Sequence, residues 1–456
     1  MEQYLASLRG KTVAVLGLGV SNVPLVELLC RAGVRVIGCD KRVSLGEAEE
    51  RLRACGAVLH LGEGYLDGLE AAEVIFRTPG MRPDIAPLEA ARARGAVVTS
   101  EMEVFFELCP CTLLGVTGSD GKTTTTTILA EMLRAAGKRV WLGGNIGRPL
   151  LSDVPQMTAQ DVAVVELSSF QLMDMKRSPQ LAVLTNLAPN HLDVHRDMDE
   201  YIAAKENILR FQSSADTAVY NRDNGITRQL AARAHGALRS FGWEDDGRDG
   251  ASVHAGAIWL RRRGESRAVL PLCDIRLPGR HNVENYMAAC AALDGVVDDS
   301  CMRRVAQEFG GVEHRIEFVR EVRGVKYYND SIATSPTRAI AGLRAFDRKV
   351  VLIAGGYDKH IPFTELGTEV RQRVKTLILC GDTAEKIESS VRGAQGGETP
   401  EIRHADTLER AVALAAAAAD AGDVVLLSPA CAAFDRYKNF MERGQAFKAL
   451  VAALAE

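Results

Sequence analysis

Residues 113–124 read Leu113-Leu114-Gly115-Val116-Thr117-Gly118-Ser119-Asp120-Gly121-Lys122-Thr123-Thr124, and the fold follows from this stretch. A short apolar run breaks into glycine, and a segment with helical periodicity (124–136) follows at once. That order is the strand–loop–helix opening of a parallel α/β sheet. Backbone N–H groups in a glycine-rich turn at a helix N-terminus form a cradle for anions. Lys122 can reach the outer phosphates of a nucleotide, and the Thr123 hydroxyl can ligate Mg2+. The usual phosphate loop has its first glycine five residues before Gly121, where this chain has Val116. What remains is the shorter T-G-x-x-G-K-T-T. A glycine turn carrying a solvated lysine is the plainer alternative. The strand before, the helix after and the paired threonines favour a grip on ATP.

Similar units recur on both sides of this one. Apolar runs at 12–16, 162–165, 182–185, 350–354, 377–380 and 424–427 alternate with helical segments such as 23–32 and 408–419. Apolar strands between helices imply parallel sheets covered on both faces, so the fold class is α/β. A chain of 456 residues is too long for one core, and about three domains are expected. We place them at 1–106 (Rossmann-like), 107–311 (phosphate-loop domain with a β-containing extension over 216–275) and 312–456 (Rossmann-like). The N-terminus is expected to run directly into its first strand, with no secretory signal pattern.

Bulk chemistry narrows the partners. A net charge of −4 gives no reason to expect nucleic acid. No apolar run approaches the roughly 20 residues needed to span a bilayer. The ten cysteines include no C-x-x-C pair, so reduced thiols in a cytoplasmic protein are expected rather than structural zinc.

Further features bear on chemistry. Gly17-Leu18-Gly19-Val20-Ser21-Asn22 resembles a dinucleotide turn, with Asp40 ending the next strand about 20 residues on, as a ribose contact requires. Its third glycine is replaced by Asn22. Alone, it fits a nucleotide-diphosphate site and a merely structural turn equally well. Thr78-Pro79-Gly80 closes another strand and can line the same crevice. Glu166 ends the strand 162–165 and His191 lies beyond the strand 182–185, so both face the ligand end of a parallel sheet as candidate metal ligands. Lys205, from composition alone, is a solvated helix residue. Asn282 and Asn285, spaced i and i+3 after His281, suit either nucleotide recognition or helix capping.

Together, Gly118–Thr123, Gly144-Asn145-Ile146-Gly147, Glu166–Gln171, Asn190-His191-Leu192-Asp193 and His281-Asn282 resemble the Mur ligases of peptidoglycan synthesis. His314-Arg315, Asn329-Asp330-Ser331 and the run Ser428–Asp435 with Asn439-Phe440 and Arg443-Gly444 look like the branch of that family that adds D-glutamate. The resemblance implies a cytoplasmic, monomeric enzyme using ATP and two Mg2+ ions. It would couple D-glutamate to UDP-N-acetylmuramoyl-L-alanine through an acyl phosphate. It also implies that Gly19, Val20, Ser21, Asp40, Lys41, Thr78, Pro79 and Gly80 meet the uridine diphosphate, not a nicotinamide, with Asn145 and Gln171 at the muramoyl-alanine end. Gly118–Thr124, His281, Asn282, Asn285, Arg315 and Asp330 would meet ATP. Thr123, Glu166, His191 and a carbamylated Lys205 would hold the metals, making Lys122, Glu166, His191 and Lys205 the catalytic set. Thr334, Lys359, Ser428 and Phe434 would form the D-glutamate pocket. Two positions depart from the family pattern: Ile332, where many relatives have lysine, and Tyr357, where aspartate is frequent.

Overall fold

The apolar runs form three sheets in a computed structural model that describes residues 1–191 and 194–455. The first sheet contains β1 (Thr12–Leu16), β2 (Arg35–Asp40), β3 (Val58–Leu61), β4 (Val74–Phe76) and β5 (Val97–Thr99), ordered β3-β2-β1-β4-β5 and wholly parallel. The second contains β6 (Thr112–Thr117), β7 (Val140–Gly144), β8 (Val162–Glu166), β9 (Leu181–Leu184), β10 (Thr217–Asn221), β11 (Ala237–Phe241), β12 (Gly250–His254), β13 (Ala257–Arg262) and β14 (Glu265–Pro271). Its order is β14-β13-β12-β11-β10-β9-β6-β8-β7, parallel throughout except for the antiparallel pairs β12–β13 and β13–β14. The third contains β15 (Glu317–Val322), β16 (Val325–Asn329), β17 (Val350–Ala354), β18 (Val374–Leu379), β19 (Glu401–His404) and β20 (Val424–Leu427), ordered β15-β16-β20-β17-β18-β19. There β15 alone runs antiparallel.

By internal contacts the chain forms two compact units. One is Met1–Leu272 with Glu284–Val305 and carries the first two sheets; the other is Cys273–Val283 with Ala306–Glu456 and carries the third. Central strands such as β8 and β17 are buried along their whole length, which is why they read as unbroken apolar runs.

The N-terminus departs from expectation, because a helix, Glu2–Leu8, precedes β1. Tyr4, Leu5 and Leu8 fall on one face at helical spacing and pack on the core of the first two sheets. The irregular stretch 216–275 is β10–β14, parallel at first and then folded back as a hairpin pair.

Glu101 gives this unit a pH dependence. It begins the helix Glu101–Leu108, is 6% exposed, and its Oε1 accepts from the Leu151 amide at 3.1 Å. Burial pushes its carboxyl up to about 7, against that hydrogen bond. Between the ordinary carboxylate range and pH 7 the folded chain therefore holds a proton that the unfolded chain releases. Stability falls as pH rises through that window, by up to about 1.4 kcal/mol per pH unit. Glu101→Gln should flatten this slope in denaturant titrations run from pH 4.5 to 7.5. An unchanged slope would show that Glu101 is ionised in the folded state.

Candidate active site

Topology brings the site together. Strand β6 lies between β8 and β9, with Val116 opposite Glu166 and Thr117 opposite Leu184. The loop after β6, the carboxylate ending β8 and the polar segment after β9 thus meet at the C-terminal edge of one parallel sheet, where such sheets bind ligands.

The loop needs its glycines. Gly118 and Gly121 have φ of 154° and 76°, and a Cβ would collide with Thr185 Oγ1 at the first and with Asn285 Oδ1 at the second. Val116 lies inside β6 and is fully buried, so no turn there demands a glycine. The shorter motif follows from that. The chain after β9 fixes the loop from the side. Asn186 accepts from the Ser119 amide through its carbonyl (2.8 Å) and from the Asp120 amide through Oδ1 (2.9 Å). Thr185 Oγ1 donates to the Asp120 carbonyl at 2.6 Å, and Ser119 Oγ lies 2.9 Å from both the Ala188 carbonyl and the Tyr201 hydroxyl. Thr185, Asn186 and Tyr201 are support that the motif does not contain. Polar residues closing a strand beside the phosphate-loop strand are the signal that could have marked the first two.

Lys122 folds over the loop, its Nζ donating to the carbonyls of Gly118 (3.0 Å) and Ser119 (2.8 Å). Thr123 Oγ1 donates to Glu166 Oε2 at 2.7 Å, and Asn145 Nδ2 donates to Oε1 at 2.8 Å. Glu166 is 1% exposed. Its carboxylate is therefore held at the loop by one hydroxyl and one amide, and Asn145 serves Glu166. Thr124 is buried behind the loop. Asn285 also backs it, accepting from Thr125 Oγ1 at 3.1 Å.

The solvated reading of Lys205 is wrong: the side chain is 1% exposed. Helix Met198–Arg210 buries Tyr201, Ala204, Lys205 and Ile208, an i, i+3, i+4, i+7 stripe that was present in the sequence. Its Nζ donates to Thr117 Oγ1 at 3.1 Å and lies 5.0 Å over the Tyr201 ring. Burial, and then the like charge of Lys122, push its pKa well below the ordinary lysine value, although Glu166 and Asp120 oppose this. The neutral amine is thereby favoured.

His191 is exposed, in a left-handed conformation at φ 56°, with its ring edge-on to Phe170 at 5.1 Å. Phe170 in turn stacks on the buried His195 at 5.3 Å. Leu192 and Asp193 of the same motif lie outside the described residues. Gln171 is turned inward: its Oε1 accepts from the Ser168 amide (2.9 Å) and hydroxyl (3.0 Å), closing a capping box on a four-residue helix.

In the first sheet, Gly19, Val20 and Lys41 are exposed at the strand ends, and Ser21 directly precedes the helix Asn22–Arg31 without a side-chain capping bond. Asn22, standing for the missing third glycine, donates to the carbonyls of Leu16 (3.0 Å) and Gly17 (2.9 Å). Asp40 accepts from the Leu18 amide (2.7 Å) and, on both oxygens, from Arg42. Those Arg42 bonds hold its carboxyl near 2. Asp40 therefore shapes the turn, and Arg42, passed over in the sequence, is its partner. A Cβ on Gly17 would stand 2.6 Å from Thr78 Cγ2, so the turn and the Thr78–Gly80 loop are immediate neighbours.

In the second unit, Asp330 is 4% exposed and its Oδ2 accepts from Ser428 Oγ at 2.7 Å. Burial pushes it up to about 7 while Ser428, the Ile316 amide and nearby Arg315 lower it. Ser428 is fully buried and its hydroxyl is engaged by Asp330. Phe434 is 63% exposed and packs edge-on to Tyr357 at 6.0 Å, which gives the unusual tyrosine a partner. Lys359 Nζ lies 3.4 Å from the Thr334 carbonyl. Arg338 donates to the Ile332 carbonyl at 3.3 Å and so supplies a cation beside that departure. Asn282 Nδ2 donates to the Pro278 carbonyl at 2.6 Å, and His281 packs against Gly279.

Three family models match this chain in succession: the MurD-like N-terminal domain of the Mur ligases over 11–100, the Mur ligase middle domain over 116–293, and the Mur ligase glutamate ligase domain over 314–431. The UDP-N-acetylmuramoylalanine–D-glutamate ligase of Acetivibrio thermocellus is 49% identical over 458 residues, covering 99% of this chain and 98% of that enzyme. This chain belongs to the Mur ligase family. A second enzyme of the same name, from Symbiobacterium thermophilum, is 50% identical over 448 residues, covering 97% of this Mur ligase and 98% of its own length. Among solved structures, the UDP-N-acetylmuramate-alanine ligase of Thermotoga maritima aligns with a TM-score of 0.57 at 17% identity, over 97% of this chain and 99% of its own. The MurF ligase of Thermotoga maritima in complex with ADP aligns at 0.56 and 19%, over 99% and 97%. At those identities the likeness is one of fold, and the three-domain Mur ligase architecture agrees with the three sheets.

Proposed function

We propose that this Mur ligase joins D-glutamate to UDP-N-acetylmuramoyl-L-alanine at the expense of ATP, in cytoplasmic synthesis of a peptidoglycan precursor. What carries the reading is the chain-long likeness to enzymes of that name, together with a phosphate loop whose Thr123 touches Glu166 at 2.7 Å.

A carboxylate resists amines at neutral pH because oxide is no leaving group. An oxygen of the L-alanyl carboxylate attacks the γ-phosphorus of ATP, the bond to ADP breaks, and an acyl phosphate forms. The amine of D-glutamate, its proton passed to water, or to His191 when that ring holds no metal, adds to the carbonyl carbon. The tetrahedral adduct then expels phosphate and leaves the amide. Lys122 and the loop amides offset charge on the transferring phosphoryl group. Arg315 and Asp330 meet ATP, and exclusion of water protects the acyl phosphate from hydrolysis.

The two Mg2+ ions belong to the same reading. Among the described residues no group of three His, Cys, Asp or Glu stands together. The donors that do meet are hard oxygens, Thr123 Oγ1 and Glu166 Oε2. That set fits Mg2+, which takes one or two protein oxygens and completes its shell from phosphates and water. Thr123 would hold the first ion, and Glu166 with His191 the second, aided by Lys205 once its neutral amine has added CO2 and lost a proton to become a carbamate. When bound, the ions supply positive charge at the phosphates.

The remaining assignments complete the proposal. Domain boundaries fall near 106 and 311. Gly19–Ser21, Asp40, Lys41 and Thr78–Gly80 hold the uridine diphosphate, with Asn145 and Gln171 toward muramoyl-alanine. His281, Asn282 and Asn285 hold the nucleotide of ATP, and Thr334, Lys359, Ser428 and Phe434 build the D-glutamate side. The enzyme acts as a monomer in the cytoplasm without nucleic acid or membrane, and among the described residues no helix is long and apolar enough to cross a bilayer.

ADP release measured with UDP-N-acetylmuramoyl-L-alanine against a panel of amino acids tests the assignment. D-Glutamate alone should support turnover. Equal rates with L-alanine or a diamino acid would make this a different ligase.

A further inference from the structure

Arg77 is the largest fully buried side chain, 1% exposed, and no motif includes it. It follows β4 and lies at the root of the Thr78–Gly80 loop. Its Nη1 donates to the carbonyls of Thr78 (3.0 Å), Pro79 (3.3 Å) and Met81. Its Nη2 donates to the Phe170 carbonyl at 3.3 Å and to Asp174 Oδ1 at 2.5 Å, and its Nε to Asp174 Oδ2 at 3.2 Å. One planar guanidinium thus holds the inner carbonyls of a loop on the first sheet against the segment after β8 that carries Gln171. A fork of five donors suits this work, since the acceptors lie in several directions around one plane. A lysine at this place would offer three donors from a single point.

We infer that Arg77 is a positioning residue for the UDP-linked substrate: it sets the separation between the loop that meets the diphosphate and the segment that meets the muramoyl-alanine end. The inference rests on the assignment of Thr78–Gly80 to the uridine diphosphate. Arg77 touches no substrate itself. Its effect passes through carbonyls that it pulls inward, turning the loop's outer face toward the crevice beside Gly17. The ATP loop is secured by a different set, Thr185, Asn186 and Asn285, so the two substrates depend on separate supports.

Steady-state kinetics of Arg77→Lys test this. The KM for UDP-N-acetylmuramoyl-L-alanine should rise at least about tenfold, because small misplacements of binding groups are costly. The KM for ATP should stay within about twofold, and so should kcat at saturation. Asp174→Asn, which weakens the clamp without emptying it, should shift the same KM by less. A parallel rise in both KM values with a lowered melting temperature would reduce Arg77 to general structure and overturn the inference. Gly80→Val separates this from the underlying assignment, because a Cβ at Gly80 meets nothing within 4 Å and so enters open space. If Gly80→Val raises the UDP-substrate KM while folded Arg77→Lys does not, the positioning role is wrong. If neither does, the loop is not the diphosphate contact and both claims fall.

Discussion

Lys122→Ala should cut kcat by at least about 10³-fold, the range found when a cation facing a transferring phosphoryl group is removed. The lysine stands at the first turn of the helix Lys122–Ala135, directly after a left-handed Gly121, where its Nζ reaches back over the loop. The Gly118 and Ser119 carbonyls are among its acceptors there. The loop itself is shaped by backbone bonds to Asn186 and by two glycines, none of which involve the side chain. Alanine is also a good residue in a first helical turn. Stability should accordingly change by less than about 1 kcal/mol, as for a partly exposed side chain outside the core. ADP release and thermal unfolding on the same sample check both halves. Full turnover by Lys122→Ala would remove the phosphate loop from the chemistry.

Lys205→Met should separate activity from stability in the opposite way. The amine lies buried between Thr117 and the Tyr201 ring, with Lys122 as a like charge nearby. A buried ammonium without a close carboxylate is costly, and an apolar side chain of similar length removes that cost. Methionine should hold or raise the melting temperature at pH 7. Turnover should nevertheless fall by at least about 10²-fold, as expected when a group that orients charge at the reacting phosphate is lost. Depleting CO2 should slow the wild-type enzyme, and bicarbonate should restore it, whereas Lys205→Met should respond to neither. The pH dependence has a definite sign. The folded pKa lies below the unfolded 10.5, so between the two the unfolded chain binds the extra proton and stability rises with pH. The variant should lose that rise. Wild-type activity in Lys205→Met would show that the buried amine is only structural.

Much of this was legible before any coordinates. Apolar runs ending in glycine gave the parallel sheets, because strands covered on both faces leave that trace. The phosphate loop, Glu166 and the nearness of Gly17 to Thr78 followed from strand ends. What stayed hidden depends on contacts between distant segments. Lys205 read as solvated because lysine usually is, although Tyr201, Ala204 and Ile208 set it on a buried stripe. Asn186 and Thr185 carry no motif of their own and matter only because β9 lies beside β6. The bond from Ser428 to Asp330 was hidden too, because it depends on β20 lying beside β16. Arg77 had no local signature at all. Its acceptors lie up to 97 residues away, at Asp174.

The central claim is that a carboxylate is activated by phosphoryl transfer, and the fate of its oxygen tests this most directly. UDP-N-acetylmuramoyl-L-alanine labelled with 18O in both carboxylate oxygens is turned over with D-glutamate and ATP, and the released phosphate is examined by mass spectrometry. One 18O per phosphate is predicted, with ADP unlabelled. Unlabelled phosphate, or label recovered in a nucleotide monophosphate, would contradict the acyl-phosphate route.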